Sequence, residues 1–111
     1  MKVDVIGIDL ANQAFQVAAQ YQAGKLISNR RVARTKLLDT VRGFEPCIVA
    51  METCTSAHCW GRTLENMGLT VKLILAQHVN AFTRVNKTDA GDALAICEAT
   101  RRPEFSRYFI S

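Results

Sequence analysis

Apolar positions recur with a period of two over the first third of the chain and with a helical period over much of the remainder. Val3 to Ile8 is a dense apolar run suited to a central strand. Phe15, Val17, Ala19 and Tyr21 alternate with Gln16, Ala18 and Gln20, the pattern of a half-buried strand. Asn12-Gln13 and Ala23-Gly24 supply turns, and Lys25 to Val32 continues as a third, more polar strand. The three predict an antiparallel meander with the third strand at an edge.

The period then changes. Leu37, Leu38, Val41 and Phe44 follow helical spacing, with Thr35 as candidate N-cap and Gly43 near the C-terminus. Pro46 breaks the chain before a strand from Cys47 to Met51. Ser56 is placed to cap a second helix, whose stripe of Ala57, Trp60, Leu64 and Met67 ends at Gly68. Leu69 to Ala76 is strand-like again, with Val71, Leu73 and Leu75 on one face. Strand, helix, strand in this order predicts a right-handed parallel crossover. Val79, Phe82 and Val85 suggest a short helix or turn. Thr88 or Asp89 then caps a final helix, Ala90 to Arg102, where Arg101 and Arg102 complement the dipole and Pro103 ends it. After Pro103 only a short tail is expected. The reading is an α/β protein of order βββαβαβα, a mixed sheet with helices packed on it.

Composition narrows this only a little. At 111 residues the chain is read as one domain with a real core. Its 49% hydrophobic and 22% charged residues are ordinary for a globular protein. A net charge of +4 and a pI near 9.1 permit a polyanionic partner without demanding one. No apolar stretch approaches a membrane span, and Asp4 and Asp9 interrupt any signal-peptide core, so no membrane association and a cytoplasmic location are expected. Cys47, Cys54, Cys59 and Cys97 form no Cys-x-x-Cys pair and are read as buried, reduced thiols. Cys54, His58 and Cys59 match no standard zinc spacing, and His78 reads as a loop or helix-start residue.

The chemistry resides in four carboxylates. Asp9 and Glu52 each follow an apolar run that reads as a buried strand, and Asp89 and Asp92 are three apart at a helix start, sharing one face. Each has a plain structural reading. Asp9 suits a turn, Glu52 can point to solvent past its strand, and Asp89 or Asp92 can cap a helix. The combination says more. In this element order the first strand is central and the strand ending at Glu52 runs parallel beside it, so the two C-terminal ends are neighbours. A final helix packed across that end presents two further acids. Clustered acids are stable only around a cation, and the fitting one is a hard metal such as Mg²⁺ or Mn²⁺. Two such ions clamp the oxygens of a phosphoryl transfer, the chemistry of nucleases and transposases.

Three ordered blocks carry a resemblance. They are Gly7-Ile8-Asp9-Leu10-Ala11; Met51-Glu52-Thr53-Cys54 with Ser56-Ala57-His58 and Trp60; and Lys87-Thr88-Asp89-Ala90-Gly91-Asp92-Ala93, extended by Ala95-Ile96-Cys97-Glu98-Ala99. From Ile6 to about Arg102 the chain resembles the N-terminal RuvC-like domain of DEDD-type insertion-sequence transposases, the group related to the Piv and MooV DNA invertases. The resemblance implies a ribonuclease H-like fold, with Asp9, Glu52, Asp89 and Asp92 as catalytic, metal-binding acids. It also implies DNA as substrate, in some members a structured guide RNA, and a homo-oligomer of the full-length protein. Family members carry a further C-terminal domain with a serine proposed to attack the DNA phosphate. The chain stops at Ser111, which leads to the expectation of an isolated domain or truncated gene product, unable to complete transposition alone. Ser106 and Ser111 match no motif. Asn12 stands where many relatives have Lys, and Thr55 where many have Gly.

Lys25, Arg30, Arg31, Arg34 and Lys36 concentrate on the third strand and the turn after it, and Arg84 and Lys87 precede the acidic pair. Arg30, Arg31, Arg34, Lys36, Arg84 and Lys87 are therefore candidate nucleic-acid contacts. The competing reading is a charged edge that discourages sheet-to-sheet association. Alternatives to a recombinase domain are a self-sufficient RuvC-like nuclease or resolvase and a non-catalytic nucleic-acid-binding remnant. An actin-like nucleotide-binding fold needs a phosphate loop after the first strand, and Leu10-Ala11-Asn12-Gln13 offers none.

Overall fold

A computed structural model of the chain describes residues 3–10, 14–21, 25–44, 48–53, 56–80, 89–102 and 106–107. Three strands form the expected meander: β1 (Val5–Asp9), β2 (Ala14–Tyr21) and β3 (Lys25–Ala33). A 3₁₀ turn at Arg34–Lys36 leads into α1 (Leu37–Arg42). Then come β4 (Ile48–Glu52), α2 (Ala57–Asn66), β5 (Thr70–Ile74), α3 (Ala76–Asn80), α4 (Asp89–Thr100) and β6 (Ser106–Arg107). The described strands lie in one mixed sheet in the order β3-β2-β1-β4-β5-β6. β1 pairs antiparallel with β2 and parallel with β4, and β4 pairs parallel with β5.

Helices cover both faces. On one face Leu37 and Val41 of α1 and Ala57 and Leu64 of α2 pack with Ile6, Ile8, Phe15, Val17, Val49 and Met51 of the sheet. On the other, Ala93 and Cys97 of α4 meet Val5 and Ala18, while Ala95, Ile96 and Ala99 meet Ala50, Ile74 and Val79 of α3. Alternation along β1 thus sends Ile6 and Ile8 to the first face and Val5, Gly7 and Asp9 to the second.

The second face rests on a close approach. A Cβ added to Gly7 would stand 2.6 Å from the Ala93 carbonyl oxygen and 2.6 Å from Cys97 Sγ. Only glycine admits the backbone of α4 so near β1. The Cys97 thiol donates to the Ala18 carbonyl at 3.6 Å, and burial pushes it up to about 12, leaving an inert packing group. At the helix's other end Arg101 holds Asp4 through two N–H···O contacts of 2.9 and 3.3 Å and gives its Nε–H to Gln20 Oε1 at 3.0 Å. Gln20 donates in turn to Glu98 Oε1 at 3.1 Å.

Several sequence expectations are corrected. Gln20 is fully buried, because α4 covers the face that alternation assigned to solvent. Thr35 lies inside the 3₁₀ turn, and Lys36 occupies the N-cap of α1 without a side-chain cap bond. Ser56 holds the N-cap position of α2, also without a side-chain cap bond. Leu75 lies past the end of β5 and is exposed, so it does not extend the face of Val71 and Leu73. The final helix stops at Thr100, and Arg101 serves a carboxylate rather than only the dipole. The tail contributes β6, paired antiparallel to β5, where no strand was expected. Cys59 is exposed rather than buried, while Cys47, Cys54, Phe82 and Val85 lie outside the described residues. Among the described residues, no helix is long and apolar enough to cross a membrane.

The close contact at Gly7 makes a direct prediction. Gly7→Ala should lower stability by about 1–3 kcal/mol, the usual range for overpacking a filled core. Urea denaturation measures it, and an unchanged midpoint would show that α4 does not need this clearance.

Candidate functional site

The parallel pairing of β1 and β4 sets the site. Their register runs through Ile8↔Met51, and Asp9 and Glu52 are the next residue on each strand. Asp9 shares the face of Val5 and Gly7, and Glu52 that of Ile48 and Ala50, so both acids project on the α4 side. The amide of Thr53 donates to the Ile74 carbonyl at 2.9 Å, holding the chain just past Glu52 against β5. The helix α4 runs antiparallel to β1. Its C-terminal end meets Asp4 through Arg101, and its first turn reaches the acid end with Asp92. Asp9, Glu52 and Asp92 are all half-buried.

Glu52 records the proximity of Asp92. Burial raises its carboxyl above the ordinary 4.5, and the negative charge of Asp92 raises it further. Asp89 is the first residue of α4, and its side chain lies outside those described. Among the described residues, no three of His, Cys, Asp or Glu converge closely enough to enclose an ion by themselves. The donor set is nonetheless all oxygen, which fits a hard divalent cation that keeps water and substrate oxygens among its ligands.

The basic candidates separate by position. Arg34 places its guanidinium 5.7 Å from the centroid of the Trp60 ring, and Trp60 meets Phe15 edge to face at 5.4 Å. Trp60 therefore belongs to the first-face core and its margin, with Arg34 over it. Arg30, Arg31 and Lys36 border, with Thr40, a shallow open depression at the end of β3. Arg84 and Lys87 lie outside the described residues. Reasoning from sequence passed over Gln16, which pairs with Asp9 across β1 and β2, because its alternation reads simply as a solvent face. It also passed over the clearance at Gly7, for which the signal was available: a glycine inside an apolar strand marks close backbone approach.

This architecture is that of the ribonuclease H-like α/β proteins. The chain superposes on a T. thermophilus RuvC, solved in complex with a Holliday junction substrate, with a TM-score of 0.68 over 98% of this chain and 100% of that one, at 15% identity. The family model described as transposase, of the DEDD type of insertion sequence IS110, matches residues 6–110, and the chain belongs to that family. It is 45% identical over 103 residues to a probable family 20 transposase of Pseudomonas aeruginosa, 93% of this chain and 30% of that protein. It is 42% identical over 109 residues to the transposase for insertion sequence element IS1328 of Yersinia enterocolitica, 98% of this chain and 32% of that protein. A Coxiella burnetii transposase for element IS1111A is 39% identical over 100 residues, 90% of this chain and 28% of that protein. The chain thus spans about a third of the length of the curated relatives it matches.

The raised Glu52 carboxyl has a consequence for stability. A folded value above the unfolded one favours folding with Glu52 protonated, and that advantage is lost as pH rises through the folded value. Glu52→Gln should therefore stabilise the protein near pH 7, with the gain fading below the ordinary value of 4.5. Thermal melts across this range test it. A gain independent of pH would assign the effect to something other than ionisation.

Proposed function

We propose that this chain is the catalytic domain of a DNA transposase, in which Asp9, Glu52, Asp89 and Asp92 hold divalent metal for phosphoryl transfer on DNA. The observation that carries this is the meeting of Glu52 and Asp92 at the sheet end where Asp9 also lies, with Glu52 raised by burial and by its acidic neighbour. Such a pair lowers stability unless a cation joins it, so its placement is best explained by binding. Family membership and the RuvC-like fold support a transposase or nuclease type of domain.

Each residue has a role within this reading. Asp9 and Glu52, fixed on neighbouring parallel strands, give the rigid half of the ligand set. Asp92 and Asp89, on the first turn of α4, give the half whose position depends on helix docking. Bound Mg²⁺ or Mn²⁺ supplies Lewis-acid activation of the attacking and leaving oxygens. DNA is the substrate by this reading. A homo-oligomer, a guide RNA and the serine-bearing domain belong to the proposal for the longer protein.

Thermal shift with Mn²⁺ provides the test. The ion should raise the melting temperature at pH 7, and the rise should shrink as pH falls and Glu52 takes up its proton. The Asp9→Asn/Glu52→Gln double variant should lose the rise while remaining folded. An equal rise in that variant would remove the assignment of these acids. Cutting of branched DNA by the chain alone, abolished by Asp9→Asn, would instead favour a self-sufficient nuclease.

A further inference from the structure

The strand registers place more than acids at this end of the sheet. Asp9 pairs with Gln16 across β1 and β2, and Gln16 pairs with Arg31 across β2 and β3. Glu52 adjoins Asp9 on the other side, one residue past Ile8↔Met51. Directly paired residues project to the same face, so Glu52, Asp9, Gln16 and Arg31 form one transverse row on the α4 side. An observed contact agrees with this assignment. Gln16 Nε2 donates to Asn29 Oδ1 at 2.8 Å, and Asn29 is two residues before Arg31 on the same strand. Exposure increases along the row, from half-buried Glu52, Asp9 and Gln16 to exposed Arg31.

We propose that Gln16 and Arg31 extend the acid site into a track for the phosphodiester backbone of a DNA strand, crossing the sheet from β4 to the β3 edge. The inference rests on the reading that the acids act on DNA. Charge changes sign along the row: carboxylates lie at the central strands and a guanidinium at the edge. A reacting phosphate needs the acids, whereas phosphates farther along the same strand need a cation and N–H donors. Arg31 supplies the cation with a forked donor set matched to phosphate. Gln16 keeps a second N–H besides the one given to Asn29. Arg31 stands two strand spacings from Asp9, about 10 Å.

Arg30 supplies the contrast. It precedes Val32, which packs with Phe15 in the first-face core, so Arg30 projects away from α4. An edge charge that merely discourages strand pairing would make Arg30 and Arg31 equivalent. A track on the α4 face makes them different.

The test measures binding of labelled single-stranded and duplex DNA oligonucleotides by fluorescence anisotropy in EDTA, at several salt concentrations. Arg31→Ala should weaken binding about five- to tenfold and lower the salt slope by about one. Arg31→Lys should restore most of the loss, Gln16→Glu should weaken binding, and Arg30→Ala should stay within about twofold of the unmodified chain. Equal losses from Arg30→Ala and Arg31→Ala, no loss from Arg31→Ala, or no salt-dependent binding by the unmodified chain would each overturn the track. Because no metal is present, this result is separate from the metal assignment. Arg31→Ala should also keep the full Mn²⁺ thermal shift. A chain with the Arg31 effect and no Mn²⁺ shift would keep the track and lose the metal site.

Discussion

The absence of a side chain at Gly7 is the constraint on which the rest depends. It lets the backbone of α4 settle on the central strand, with Ala93 and Cys97 where any larger residue's Cβ would stand. A helix docked this closely touches β2, β3, β4 and β5 as well as β1, so its small residues Ala93, Ala95 and Ala99 become the floor of the second core. The far end is pinned by a different kind of force. Arg101, Asp4, Gln20 and Glu98 form a chain of hydrogen bonds that fixes where the helix stops along β1. With one contact setting its height and the other its axial position, the first turn has little choice about where Asp92 arrives.

What arrives there opposes stability. Burial raises the cost of ionising Glu52, and the negative charge of Asp92 adds to it. The same helix shows how the fold treats polar groups it only needs to satisfy: Gln20 is buried at 0% exposure with both ends of its amide engaged. The contrast is between one end of α4, where Arg101, Asp4, Gln20 and Glu98 bond one another, and another where like charges meet. Matched groups explain themselves through packing. Opposed ones are what the proposed hard divalent cation would join, since every group there offers oxygen.

Much of this was legible in the chain. Alternation and helical spacing gave the meander, the parallel β4 and the final helix, and motif order gave the family. What was hidden follows from the third dimension. Gln16, Ala18 and Gln20 look like a solvent face until a later helix covers it, and no local pattern announces that cover. Leu75 has the parity of Val71 and Leu73, yet the strand ends before it. Two-residue β6 is too short to carry a period at all. Arg34 reads as one of a basic cluster, and only the packed structure shows it over Trp60. The four acids were identifiable as types and positions; the raised carboxyl of Glu52 became visible only when α4 brought Asp92 to it.

Register decides whether the row from Glu52 to Arg31 exists. A one-residue slip in a sheet sends every side chain to the opposite face, and here it would exchange Arg31 for Arg30 beside the acids. β2 and β3 do contain a register shift, but it falls between Ala19 and Gln20. From Ala14↔Ala33 to Ala19↔Ser28 the pairing is regular, and this is the half of the ribbon that reaches the acid end. The irregularity is thus confined to the end where Gln20 joins the Arg101 network, and the end that would meet substrate keeps an undistorted ladder. A charged edge would serve against aggregation in either register. Only the regular one aligns a guanidinium, an amide and two carboxylates on the face that α4 bounds.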